Sequence, residues 1–295
     1  MVPDRMLIIS SIISGLSLGS MYGLIALGFH VTYVVSNTVN FSQGSAMMIG
    51  AVLGYTFAVT LGWPLPFAVL LSLMLCGLFG ILVERTLVRP FAERNSNAWL
   101  MATVAGGILV DNLVLFTFGK EPRSFPSVLA EKPIQIFGAG IYPLQLVIPV
   151  AGLGIALLLQ LAFHRTRLGK AMLAVVQNPD AARLMGINVR GAIAGSFALS
   201  TMLAGLAGLL IAPLFSVHSE MGTLFGLKAF AVAILGGITS AWGVMLAGLA
   251  YGLIEALVTA FFGSTYTQIV AFSFVILALA LMPNGLLGRA AVNKV

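Results

Sequence analysis

Charge is what this sequence has least of. Asp, Glu, Lys and Arg make up 8% of its 295 residues, against 59% hydrophobic residues, whereas a soluble domain carries roughly 25% charged residues. Such a chain reads as an all-α polytopic membrane protein. Its apolar runs are continuous, without ten-residue alternation, and this excludes a transmembrane barrel. The one cysteine, Cys76, lies inside an apolar run, so there is no disulfide framework. Three histidines (His30, His164, His218) share no ligand spacing, which argues against a metal site. Nucleotide motifs are also missing. Gly169-Lys170 has neither the upstream glycine nor the following Ser/Thr of a phosphate-binding loop, and Gly138-Ala139-Gly140 and Gly152-Leu153-Gly154 lack the third glycine of a dinucleotide site. CxxC, HExxH and GxSxG are absent. No catalytic constellation and no cofactor of the chain's own are expected. The first apolar segment lacks a convincing small-residue cleavage site, so no cleavable signal peptide is expected either.

What is there is membrane material with a few polar interruptions. A crossing helix needs about 20 apolar residues, and shorter pieces pair as broken spans. On that measure crossings are expected near 7–29, 46–61, 67–84, 98–118, 142–163, 192–211, 242–262 and 267–282, with a short apolar piece at 226–235. The expectation is one domain over 1–295 with eight or nine segments, some short or broken. Gly15, Gly19 and Gly23, then Gly50 and Gly54, then Gly248 and Gly252 repeat at four-residue spacing, the pattern that lets helices approach closely. Ser42-Gln43-Gly44 and Ser240-Ala241-Trp242-Gly243 each open such a stretch, a weak internal repeat of the kind transporters carry.

The net charge of +6 is a topology signal, because the cations cluster in short stretches between apolar runs. Arg85, Arg89 and Arg94 mark 84–94 as cytoplasmic. The balanced 120–133 stretch, with three cations, two anions and three prolines, reads as external. Counting back through three crossings puts the N-terminus outside, and Arg289 with Lys294 puts the C-terminus inside.

The long polar interruption at 165–190 holds five cations (Arg165, Arg167, Lys170, Arg183, Arg190) and one anion, Asp180. Residues 170–177 alternate as a short helix would. Asn178-Pro179 then suits the N-cap and first position of a second helix, with Asp180 in its first turn and Gly186 at its end. An amphipathic connector lying on lipid headgroups and a docking element for a cytoplasmic partner both fit this pattern.

Other polarity falls inside the membrane. Irregular backbone at that depth is tolerated only where protein or a water-filled cavity satisfies it. The 36–45 and 236–243 stretches are therefore candidates to line a polar pathway, through Asn37, Asn40, Ser42, Gln43, Ser45, Thr239 and Ser240. Capping and turn roles are the alternative for the same residues. Asp111 in the fourth span is an eighth candidate for the pathway lining, and it and Glu255 near the end are intramembrane acids, functional candidates by default. Pairing with Lys228 or with backbone amides is the structural alternative.

Four blocks together resemble a known family. GLSLGSMYGLIALGFHVTYVVSNTVNFSQGSAMMIGA at 15–51 is similar to the first block of the permease subunits of branched-chain amino acid ABC importers. ERTLVRP at 84–90 resembles the first cytoplasmic loop of that family and RLGKAMLAVVQNPDAARLMGINV at 167–189 its central loop. GLKAFAVAILGGITSAWGVMLAGLAYGLIEAL at 226–257 resembles its C-terminal block. The resemblance covers nearly the whole chain in order. It implies a type II ABC importer-like permease in the bacterial inner membrane. The implied partners are a second, similar permease subunit, two cytoplasmic ATPases that bind the ATP, and a periplasmic binding protein, with no nucleic acid. The central loop then matches the element that docks into the ATPase, through Asn178, Asp180, Ala181, Arg183, Leu184 and Gly186. Two positions depart from the family pattern. Gln43-Gly44-Ser45 lacks the Gly-Glu that often follows the Asn-Phe pair, and Asp111 stands where many relatives carry Gln. Both leave urea, other amides and aromatic carboxylates open as cargo beside branched-chain amino acids. A self-sufficient secondary transporter or channel is the competing class, and it would need ion-coupling acids of its own.

The cation bias predicts that a single cysteine introduced at Lys170 is labelled by an impermeant thiol reagent from the cytoplasmic side of oriented vesicles. Labelling from the periplasmic side contradicts the topology and, with it, any ATPase docking by 165–190.

Overall fold

A computed structural model describes residues 2–94, 96–136, 138–282 and 285–287. In chain order the helices are α1 (Val2–Ser36), α2 (Gln43–Tyr55, continued as a π-helical turn, Thr56–Thr60), α3 (Leu65–Val83, continued as a π-helical turn, Glu84–Val88), α4 (Arg89–Ala92), α5 (Trp99–Phe118) and α6 (Val128–Glu131). A two-stranded antiparallel hairpin follows, β1 (Ile134–Ile136) against β2 (Ala139–Ile141). Then come α7 (Pro143–Arg165), α8 (Arg167–Gln177), α9 (Pro179–Leu184), α10 (Val189–Ile211), α11 (Met221–Gly236), α12 (Ala241–Phe262) and α13 (Ser264–Leu281). Among the described residues seven helices are long and apolar enough to cross a membrane. The shorter α2 and α11 bring the segments to nine, matching the expected all-α architecture. Arg289 and Lys294 lie outside the described residues.

α1 forms the axis. Residues 30–36 contain no breaker, so the helix runs seven residues past the expected end and stops where Asn37 adopts φ +54. Asn is among the few non-glycine residues that take this left-handed conformation readily, and it closes helices for that reason. The chain then folds back. Gln43, the first residue of α2, lies beside Ile25 and Gly28 of α1, about 12–16 Å back along α1 at 1.5 Å per residue. α2 therefore begins inside the membrane, not at its surface.

α12 repeats the device from the other half of the chain. α11 stops at Gly236, and the turn behind it is pinned where His30 Nδ1 meets the Ile238 carbonyl at 2.7 Å. Ser240 Oγ then caps α12 by accepting from Gly243 N at 3.2 Å. α12 returns antiparallel along α1, with Gly15 against Gly252, Gly19 against Gly248 and Gly23 against Met245. A Cβ on Gly19 would sit 2.5 Å from the Gly248 carbonyl oxygen, so this approach requires hydrogen side chains. α10 closes the other side of α1, with Gly50 of α2 against Gly205 of α10.

Another boundary differs from expectation. The third span does not end at Glu84-Arg85 but stays helical to Ala92. The buried Glu84 carboxylate accepts two bonds from Arg89, at 2.9 and 2.6 Å, so the acid is neutralised inside the helix and ERTLVRP need not leave the membrane edge as loop.

Candidate functional site

The central loop folds as its residues direct. Thr166 caps α8 by accepting from Gly169 N at 3.0 Å. Asn178 Oδ1 caps α9 by accepting from the amides of Asp180 and Ala181, each at 3.0 Å. Gly186 terminates the unit at φ +80, a conformation L side chains rarely adopt. Ala182 turns inward and packs with Val175 and Val189. Asn178, Asp180, Ala181, Arg183, Leu184 and Gly186 all face outward, and Leu184 and Met185 are 89% and 82% exposed. Arg183 bonds Asp180 on its own helix at 3.0 Å, with both side chains largely in solvent.

Three stretches converge beside α9. A cleft of about 450 Å³ lies between the end of α1 (Asn37, Thr38), the π-helical turn and α4 (Glu84, Arg89), Pro179 with Arg183, and the start of α10. Arg190 holds Glu93 across it at 2.8 Å. The two cation-rich stretches that sequence marks as cytoplasmic thus form one end of the molecule, joined by an ion pair.

The eight residues expected to line a pathway do not form one site. Asn37 is exposed at the cleft, and Thr239 is exposed on the turn before α12. Ser240 is committed as the α12 cap. Asn40, Ser42, Gln43 and Ser45 are buried, and most of their polar atoms bond within the chain. Asn40 Oδ1 accepts from Ser42 N at 3.1 Å and from Ser42 Oγ at 2.6 Å, while Asn40 Nδ2 has no partner. Gln43, 0% exposed, donates to the Ser200 carbonyl at 2.9 Å and accepts from Ser200 Oγ at 3.0 Å. Ser200 Oγ also lies 2.8 Å from the Gly28 carbonyl. Gln43 thus locks α1, α2 and α10 together in place of offering its amide to a solute, and Gly28 lacks a side chain because that amide occupies the space. Ser45 Oγ donates to the Gly107 carbonyl of α5 at 3.3 Å. Asp111, one turn further along α5, sits near Ser45 and receives Thr223 Oγ1 at 3.5 Å.

The second intramembrane acid has its partner. Glu255 Oε1 on α12 and Lys228 Nζ on α11 are 2.5 Å apart, and Lys228 Nζ also donates to the Tyr22 hydroxyl oxygen of α1 at 3.4 Å. Removing one member of such a buried pair costs about 3–5 kcal/mol, because the other charge is left uncompensated. A lone Lys in one apolar segment and a lone Glu in the next signal this pairing. Nothing in the sequence signals the part of Tyr22.

The family model described as the permease component of branched-chain amino acid transport systems matches residues 11–281. The chain belongs to this family. It is 32% identical to LivH of Escherichia coli K12, a high-affinity branched-chain amino acid transport permease, over 96% of each chain. It is also 32% identical to BraD of Pseudomonas aeruginosa over the full length of both. A more distant relative, LsrD of the Klebsiella pneumoniae autoinducer 2 import system, is 29% identical over 85% of this chain and 76% of its own. Among solved structures, PsaBC from Streptococcus pneumoniae in complex with Fab shares the fold, at a TM-score of 0.51 and 14% identity over 93% of this chain and 91% of its own. Membership makes the protein a transport permease, and the seven apolar helices place it in a membrane.

Within this permease fold Gln43→Leu is expected to lower the thermal stability of the purified protein by about 1–2 kcal/mol, the size of the lost hydrogen bonds. Thr239→Ala, on the exposed turn, leaves it unchanged. Tryptophan-fluorescence melting checks both, and an unaltered melt for Gln43→Leu with altered transport would return this residue to the pathway lining.

Proposed function

We propose that the chain is the membrane-spanning permease subunit of an ATP-driven importer in the bacterial inner membrane, carrying branched-chain amino acids. The cargo rests on LivH and BraD, similar over nearly their whole lengths. The LsrD relative shows that kindred permeases bear names for other cargo. The chain works with a second, similar permease subunit, two cytoplasmic ATPases and a periplasmic binding protein, its N-terminus outside and C-terminus inside. It carries no phosphate-binding loop of its own, so ATP belongs to the partners.

The exposed unit 178–186 carries this reading. ATPase closure must reach the helices through a rigid contact, and α9 is capped at one end, stopped at the other and anchored through Ala182. Its tip presents Ala181, Leu184 and Met185, apolar surface that water does not favour and that a groove on an ATPase would bury. Arg183 is held only by an exposed ion pair with Asp180, a contact worth little. Exchanging it for a carboxylate on the partner is therefore inexpensive, and the planar guanidinium suits that bidentate role. A secondary transporter is less well supported. It typically needs several ion-coupling acids, and of the two at depth Glu255 is already neutralised by Lys228, which leaves Asp111 alone.

Leu184→Asp, Arg183→Glu and Gly186→Val are expected to insert normally yet lower ATPase capture in pull-downs at least about tenfold, the effect of 1.4 kcal/mol. Uptake in reconstituted vesicles falls with it. Normal capture and normal substrate-stimulated ATP hydrolysis in all three would make 165–190 a passive linker and remove the main support for the importer.

A further inference from the structure

One charge in the membrane is left without a counter-charge. Asp111 is the thirteenth residue of the twenty in α5. Its neighbours Ile108, Leu109, Leu113 and Phe116 are exposed apolar side chains, so the outer face of α5 is suited to lipid or to another apolar surface. Asp111 turns away from them, beside the face buried through Gly107 and Val114. Among the described residues no Lys, Arg or His pairs with it. Oδ2 receives Thr223 Oγ1 at 3.5 Å, and Oδ1 has no partner. Glu255, the other acid at depth, sits against Lys228. A carboxylate inside a membrane is costly unless a cation or water meets it.

Its surroundings form a groove. α5 and α11 each rest on the start of α2 from different sides: Gly107 of α5 on Ser45, Gly222 and Gly226 of α11 on Gly44. The floor is thus the mid-depth beginning of α2, and Asp111 and Thr223 face each other from opposite walls. Leu224 and Leu227 stand half exposed on the α11 wall. Toward the end that carries α9, Phe41 packs against Phe230 with the rings tilted by 58° and their centroids 4.9 Å apart. Phe41 lies level with Thr103, whose Oγ1 is 3.3 Å from its amide. That is eight residues, about 12 Å along α5, from Asp111. An acid with a hydroxyl opposite, apolar walls and an aromatic closure below form a site for a small amphiphilic solute.

We propose that this groove is this chain's flank of the substrate pathway, and that Asp111 determines specificity by accepting the ammonium group of a zwitterionic amino acid. The proposal rests on the importer reading above and deepens it. An ammonium offers three donors, and Asp111 Oδ2 and Thr223 Oγ1, which face each other across the groove, can accept two of them. The aliphatic side chain lies along Leu224 and Leu227. A plain carboxylate is repelled by the unpaired acid, and an amide lacks the charge that would neutralise it. The groove thus selects zwitterions over the organic anions and amides that family departures at Gln43–Ser45 and Asp111 leave open.

The test uses the complete importer in vesicles, with L-leucine and its deaminated analogue 4-methylpentanoate as probes. Asp111→Asn is expected to raise the KM for leucine at least tenfold and to narrow its preference over the analogue, and Asp111→Glu restores most of both. Thr223→Cys is expected to react with an impermeant cationic thiosulfonate, while the buried Cys76 stays silent. Wild-type selectivity in Asp111→Asn overturns the proposal. So does loss of the second permease from the purified Asp111→Asn complex, which would make Asp111 a subunit-to-subunit ion pair. An unreactive Thr223→Cys overturns the groove as a wet pathway. Should the wild-type complex fail to take up leucine, the cargo assigned under the importer reading fails instead, and thiol reactivity still decides whether the groove is wet.

Discussion

Backbone inside a bilayer must find its hydrogen bonds within the protein, and this chain breaks its backbone there twice. At 37–42 and at 237–240 the helical ladder is interrupted beside the middle and lower half of α1. Each break is held by a side chain reaching a carbonyl: Gln43 to Ile25 of α1 and Ser200 of α10, and His30 of α1 to Ile238. Those two links let α2 and α12 start at depth. They also let the glycine seams of α1 with α12 and of α2 with α10 close. Transporter folds use discontinuous helices near the midplane in the same way, and here the first break leads into the start of α2, beside Asp111 of α5.

Charge follows the same economy. Glu84 takes Arg89, Glu93 takes Arg190, and Glu255 takes Lys228. Two of these pairs lie at the end formed by the convergence of 84–94 and 165–190 and brace it. The third ties α11 to α12 within the bundle, with Tyr22 of α1 against it. Asp111 stands outside this scheme. The unit at 178–186 is braced by local caps and by Ala182, so it can project apolar side chains without loosening the bundle behind it.

Features set by neighbours in sequence were legible before the fold was known. The Asn178 cap, the Gly186 stop and the four-residue glycine spacing each depend on residues a few positions away. The π-helical continuation of α3 was not legible, although Glu84 and Arg89 are near in sequence. A charged Glu-Arg pair after an apolar run reads as a boundary unless the two are known to bond each other. Gln43 stayed open between pathway and structural roles for a different reason. Its partner Ser200 lies 157 positions along the chain, so the sequence shows a polar residue at depth and not the bond that occupies it. The Lys228–Glu255 pair lay between these cases, because each residue was conspicuous and the alternatives were few. The β1–β2 hairpin left no mark in the sequence reading, because its residues fall between the 120–133 loop and the span that begins at 142.

The central claim is that protein, not water, satisfies both mid-depth breaks. Hydrogen–deuterium exchange on the permease in lipid nanodiscs tests it most directly. The amides of Ser42, Gln43, Ala46, Gly237, Ser240 and Gly243, each bonded to a carbonyl or side-chain oxygen nearby in the chain, are predicted to exchange as slowly as the centres of α1 and α10. They should exchange far more slowly than the solvent-facing amides near Leu184. Exchange within seconds at either break, with α1 still protected, would contradict the account.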